Sequence, residues 1–173
     1  MSKILTALKK AGADFAVISS NSPHVVFDEL QSMVNLPMLS IVTTTLNEAK
    51  KQDLKKVLLL GTRMTMQSNF YQKEFMKENI EVIVPNNEDQ KVIINIIDTE
   101  LIEGGQIYEE SRKKFVEIIK NYSVDGVILG CTDFSFLLKS NDIDLPMLDT
   151  TDILTEATLE FALTSWIVTC SNN

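Results

Sequence analysis

Two short segments carry residue types suited to moving a proton at carbon. Gly130-Cys131-Thr132-Asp133 sets a thiol beside a hydroxyl and a carboxylate, and Ser20-Asn21-Ser22 sets two hydroxyls around an amide. A free thiol titrates near ~8.5, and helix N-termini or hydrogen-bond donors bring it lower, so it serves as acid or base near neutrality. Hydroxyls and loop amides at a helix start hold small anions such as carboxylates. Each segment closes a run that begins with an Asp: Asp14-Phe-Ala-Val-Ile-Ser-Ser20 and Asp125-Gly-Val-Ile-Leu-Gly-Cys131.

Those runs belong to an internal repeat. Leu36-Pro37-Met38-Leu39 recurs as Leu145-Pro146-Met147-Leu148, and Leu46-Asn47-Glu48-Ala49 is echoed by Leu154-Thr155-Glu156-Ala157. The three matches fall in order and share nearly one offset. A period of roughly 110 residues means two copies of one half, not a solenoid. Ligands of parallel α/β sheets bind beyond the carboxyl ends of the strands. If the halves face each other, positions 20 and 131 meet one ligand from opposite sides, an arrangement suited to inversion at carbon.

The elements that must position these segments are legible as alternation. Phe15–Ile18, Val57–Leu60, Glu81–Val84 and Val127–Leu129 are nearly continuous apolar runs, the pattern of buried parallel strands. Met38–Val42 and Met147–Leu148 are shorter candidates. Helices are expected near 2–11, 23–34, 45–52, 66–78, 87–103, 108–121 and 151–163, with Trp166–Val168 open to either a strand or a helix end. Ser22 reads as an N-cap with Pro23 at the first helical position, and Val26, Leu30, Met33 and Val34 as the buried stripe. This is an α/β pattern with a parallel sheet and helical crossovers.

The copies are unequal. In the second, a strand near Lys56 and another at 81–84 both precede Asp125, whereas only the short segment from Met1 to Ala13 precedes Asp14. About 55 residues, the counterparts of strands 57–60 and 81–84, therefore have no first-copy equivalent. We expect 1–53, completed by about 147–173, to be the remnant of a first half, and 54–146 to be the second. Such a half leaves a sheet edge unpaired, so truncation, association with another chain, or a rearranged first half is expected.

Composition narrows the function. Sixteen basic against 24 acidic residues give a net charge of −8, which disfavours nucleic-acid binding. No run approaches a membrane span and the start lacks a signal-peptide pattern. Two cysteines, Cys131 and Cys170, make no disulfide framework, and one His with two Cys makes a structural zinc site improbable. A cytoplasmic protein with a small-molecule substrate is expected.

With these motifs in place, the chain resembles the aspartate/glutamate racemase family. Ser20-Asn21-Ser22-Pro23-His24 is similar to that family's Cys-Asn-Thr segment followed by a His, and Gly130-Cys131-Thr132-Asp133 to its Gly-Cys-Thr-Glu. Gly61-Thr62-Arg63-Met64-Thr65 resembles its Gly-Thr loop, and Asp149-Thr150-Thr151 its Asp-Thr-Thr segment. The resemblance implies two pseudo-symmetric flavodoxin-like parallel-sheet halves, the first incomplete here, commonly assembled as a dimer and using neither pyridoxal phosphate nor metal. It implies that Cys131 is a catalytic acid/base, that Ser20 stands at the other catalytic position, and that Asn21, Ser22, Thr62, Thr65 and Thr132 hold an amino-acid-like substrate. The chain departs at Ser20, where the family has its first thiol, and at Leu154, where it has a His.

Residue by residue, blander roles stand beside these. Cys131 suits a core thiol and Ser20 a strand end. His24 suits a packed or solvated ring, and Asp149 to Thr151 a helix cap. Cys170 receives no role. Three functions stay open: an amino-acid racemase, a one-thiol lyase or decarboxylase, and a degenerate, non-catalytic family member that binds a small ligand or another subunit or is a gene remnant.

Overall fold

The computed structural model describes residues 1–102, 105–139 and 141–170, the last six of these by backbone alone. Helix α1 (Ser2–Lys10) leads to strand β1 (Ala16–Val17). A 3-10 turn (Ser22–Val26) then runs into α2 (Phe27–Met33), followed by β2 (Met38–Leu39) and α3 (Ile41–Lys51). Next come β3 (Lys56–Gly61), α4 (Arg63–Gln67), α5 (Phe70–Met76), β4 (Glu81–Ile83), α6 (Asn87–Ile96) and a π-helical turn (Ile97–Ile102). Helix α7 (Glu109–Lys120), β5 (Gly126–Gly130), α8 (Phe134–Leu137), β6 (Met147–Asp149) and α9 (Thr150–Cys170) complete the order.

Among the described residues every strand pairing is parallel. β1 pairs with β2, and a second sheet runs β4-β3-β5-β6. Gly61 lies beside Gly130 and Leu129 beside Asp149, so β3, β5 and β6 end along one rim. The apolar runs bury both faces of this sheet, as parallel sheets require. Leu58, Leu60, Val127 and Leu129 pack with Ile93, Phe115, Ile119 and Phe134 on one side. Val57, Leu59, Ile128 and Leu148 pack with Leu46, Tyr71 and Phe75 on the other. Each such side chain contributes roughly 1.5–3 kcal/mol of burial. The small sheet has its own core, where Ala16 and Ile18 meet Leu5, Leu30, Val34 and Leu36. Helix α9 packs along α3 and sets Phe161 edge-on to Phe15 at 5.0 Å.

Glycines let the rim close. A Cβ on Gly130 would lie 2.8 Å from the Leu60 carbonyl oxygen, and one on Gly61 would lie 2.9 Å from Thr65 Cγ2. At the opposite end, Asp125 Oδ2 accepts from the Lys55 and Lys56 amides at 3.0 and 2.8 Å, pinning the start of β3 to that of β5.

Several expectations need correction. The helix at 23–34 begins as a 3-10 turn with Asn21 in the capping position; Ser22 is no N-cap, because its hydroxyl is engaged across the fold. Met33 is 65% exposed, outside the stripe that Leu30 and Val34 bury. Helix α3 starts earlier than the expected 45–52, since Ser40 Oγ accepts from the Thr43 amide and ends the short strand β2. The helix at 66–78 is two, broken at Ser68-Asn69. The helix at 87–103 gives way to the π turn, with its last expected residue outside the described ones. Trp166–Val168 is helical backbone, while the Cys170 side chain lies outside those described. Among the described residues, no helix is long and apolar enough to cross a membrane.

Candidate active site at the ends of the central strands

Strand β3 ends at Gly61, and Thr62 caps the helix that follows, its Oγ1 accepting from the Thr65 amide at 3.3 Å. The loop after β1 reaches this point. Ser22 Oγ lies 2.8 Å from Thr62 Oγ1 and 3.2 Å from Thr65 Oγ1, and the two threonine oxygens are 3.1 Å apart. The result is a closed ring of three hydroxyls. Each proton rotates about its C–O bond, so a ring hydroxyl can turn outward to meet an anion. Thr65 is fully buried, whereas Ser22 and Thr62 line a cavity of about 280 Å³. Thr65 therefore serves from behind.

Asn21 is 3% exposed and its amide is used internally. Tyr71 OH donates to its Oδ1 at 2.5 Å, its Nδ2 donates to Thr150 Oγ1 at 2.9 Å, and Thr150 Oγ1 donates to the Leu129 carbonyl at 2.9 Å. This buried relay ties the first loop to the end of β5. Burial pushes the Tyr71 hydroxyl well above its ordinary value, which keeps it a neutral donor.

His24 is buried too. The Ile41 amide donates to Nε2 at 3.0 Å, so the ring proton sits on Nδ1 and is donated to the Ser20 carbonyl at 2.9 Å. Desolvation lowers its pKa against the pull of the Ser20 and Asn21 backbone. A neutral ring with both nitrogens occupied is a structural latch, not a base for the Ser20 hydroxyl. Ser20 itself is exposed, and among the described residues its hydroxyl has no hydrogen-bond partner within the protein.

Cys131 follows β5, next to the hydroxyl ring because Gly61 and Gly130 are register partners. It is 7% exposed in the apolar cluster that includes Met66, Ile94, Ile97 and Phe134. Its Sγ is 3.9 Å from Asp133 Oδ2. Burial raises its pKa; the Asp133 backbone pulls it down, and the Asp133 carboxylate pushes it further up. A thiol raised in this way keeps its proton at neutral pH. Thr132 is exposed. Asp149 Oδ1 accepts from the Thr151 and Asp152 amides at 2.9 and 3.3 Å, capping α9, and burial raises its pKa. Leu154 is packed into the core beside α3.

The fold thus gathers Asn21, Ser22, Thr62 and Thr65, with Cys131 on the adjacent strand end. Neither Ser20 nor Cys131 lines the cavity beside the ring. Sequence reasoning missed Tyr71, since an aromatic residue on an amphipathic helix carries no sign that its hydroxyl will reach a loop fifty positions away.

The fold is α/β with parallel strands, one ending in a thiol and its neighbour in a hydroxyl ring, at the carboxyl rim where such sheets bind ligands. The chain belongs to the Asp/Glu/hydantoin racemase family, whose model matches residues 1–158. It is 31% identical over 152 residues to the broad specificity amino-acid racemase RacX of Bacillus subtilis (strain 168), covering 88% of this chain and 66% of that protein. A crystal structure from Yersinia pestis, described as a candidate Asp/Glu racemase, shares 37% identity at a TM-score of 0.87, covering 94% of this chain and 72% of that one. PH1733, an aspartate racemase homologue from Pyrococcus horikoshii OT3, shares 35% identity at a TM-score of 0.82, covering 93% and 72%. The chain spans just under two thirds of the length of the curated racemase RacX.

Proposed function

We propose that the chain binds a small α-amino acid at the ends of β3 and β5 and moves its α-proton with Cys131, the chemistry of an amino-acid racemase. Ser22 and Thr62, backed by Thr65, receive the α-carboxylate, and Asn21 holds the loop that brings them there. Cys131 as thiolate takes the α-proton from one face and becomes the thiol, while the exposed Ser20 hydroxyl, at the equivalent position of the repeat, delivers a proton to the other face and regains one from water; the opposite enantiomer runs the same two transfers in reverse. Exposed Thr132, just past the thiol, is free to reach the ligand. No pyridoxal phosphate or metal enters this scheme. Residues 1–53 with about 147–173 make up one half and 54–146 the other, with β6 adding its strand to the sheet of the second; a second copy of the chain is the expected partner in a homodimer. The observation that carries the reading is the hydroxyl ring beside Cys131 on neighbouring parallel strands.

A second reading is favoured by the exposed Ser20 and the raised Cys131 pKa. One thiol protonates a carbanion from a single face, the chemistry of a decarboxylase or lyase. Incubating the protein with amino acids in deuterated water separates the two. Deuterium uptake with loss of optical rotation supports racemisation, and uptake with retained configuration supports one-sided exchange. Carbon dioxide release from a malonate-like acid supports the lyase. Cys131→Ala is expected to abolish uptake; an unchanged rate would sink the role of the thiol, and no uptake by the unaltered protein leaves only a ligand binder.

A further inference from the structure

We propose that the cavity beside the hydroxyl ring seats the side chain of its ligand, and that it selects a zwitterionic amino acid with an apolar side chain over an acidic one. This rests on the reading that the site takes an amino acid.

The cavity, about 280 Å³, is walled by Ile94 and Ile97, which are 9% and 2% exposed. At its mouth stand Met64 and Ile102, 52% and 66% exposed, two large apolar side chains facing water next to polar hydroxyls. An apolar ligand group would remove those surfaces from water. The π-helical turn is what brings Ile97, Asp98 and Ile102 to one place, and such turns recur at functional sites.

Charge points the same way. Arg63 and Asp98 also line the cavity, one cation and one anion, and among the described residues neither makes an ion pair. Those two charges match the two charges of a zwitterion: Arg63 with Ser22 and Thr62 for the α-carboxylate, Asp98 for the α-ammonium. An acidic side chain brings a further negative charge, and the lining offers it no second cation. Setting that carboxylate against isoleucines strips its water without a compensating partner.

The test titrates the full chain with leucine, methionine, aspartate and glutamate, each as both enantiomers, and follows binding by calorimetry and by amide NMR shifts. Leucine and methionine are expected to bind at least about tenfold more tightly than aspartate and glutamate. Arg63→Ala is expected to weaken every amino acid, and Met64→Asp to reduce the preference for apolar ones. Both positions are solvent-exposed, and circular dichroism confirms that the variants fold. Equal or tighter binding of the acidic amino acids overturns the inference, as does no binding of the apolar ones. Apolar binding without α-hydrogen exchange keeps this inference and removes the proposed chemistry. Exchange of aspartate with no binding of leucine does the reverse.

Discussion

The two loops of the repeat are held in different ways. The loop after β5 leaves a strand flanked by β3 and β6 and buried on both faces, so the backbone itself places Cys131. The loop after β1 leaves a two-residue strand that, among the described residues, has β2 as its one hydrogen-bonded neighbour. Its position comes from side chains that reach into the larger sheet: Asn21 to Tyr71 and Thr150, Ser22 to Thr62 and Thr65, and His24 to the Ile41 amide. Where sheet pairing is short, buried polar contacts take over the positioning. Such contacts are directional and sensitive to single atoms, whereas a central strand tolerates little change in volume.

After loss of Cys131, which is expected to remove α-hydrogen exchange altogether, the largest effect should come from Gly130→Ala. The added Cβ meets the Leu60 carbonyl oxygen, which belongs to backbone and cannot swing aside. A destabilisation of roughly 1–3 kcal/mol is expected, read as a lower urea midpoint. An unchanged midpoint would show that the end of β5 is not rigidly packed and would erase the contrast.

Tyr71→Phe sharpens it from the other side. The ring is kept, but Asn21 Oδ1 is left buried without its donor, a cost of about 1–3 kcal/mol. Hydrogen exchange should quicken in the amides of Ser20, Asn21, Ser22 and His24 while those of β5 change less. A uniform change across both regions would mean that the relay supports the whole core and not one loop.

The smallest effect is the pH response of His24. Its folded pKa lies below the ordinary 6.5, so below that pH the unfolded chain takes up a proton more readily than the folded one. The latch's contribution is present in full above about 6.5 and falls as pH drops through the unfolded value toward the folded one. Urea midpoints should decline between about pH 7 and about pH 5, and His24→Asn should flatten that slope. An equal slope in the variant would assign the decline to other groups.

Much of the architecture was open to inspection in the chain. The runs 57–60 and 127–129 are uninterrupted in apolar residues because both faces of their sheet are covered, and they became the central pair β3 and β5. The helix breaks were harder to see. Ser68-Asn69 carries only a weak breaking signal, and the π turn after Ile96 falls inside a continuous helical pattern. In the small half, Ser22 followed by Pro23 has the composition of a helix cap, yet its hydroxyl found its partners far along the chain, at Thr62 and Thr65. Local capping and distant hydrogen bonding compete for the same oxygen, and proximity in space decided between them.

The chain by itself determined which residues are duplicated, which runs lie inside a parallel sheet, and that a thiol and a set of hydroxyls follow equivalent strands. Periodicity and repetition are local or self-referential, so they need no coordinates. Only the tertiary structure decided which hydroxyls touch, that Asn21 faces inward to Tyr71 and Thr150, and that His24 is a neutral latch. Those outcomes join positions as distant in sequence as Asn21 and Thr150, and they depend on strand order and helix docking, which no single segment encodes.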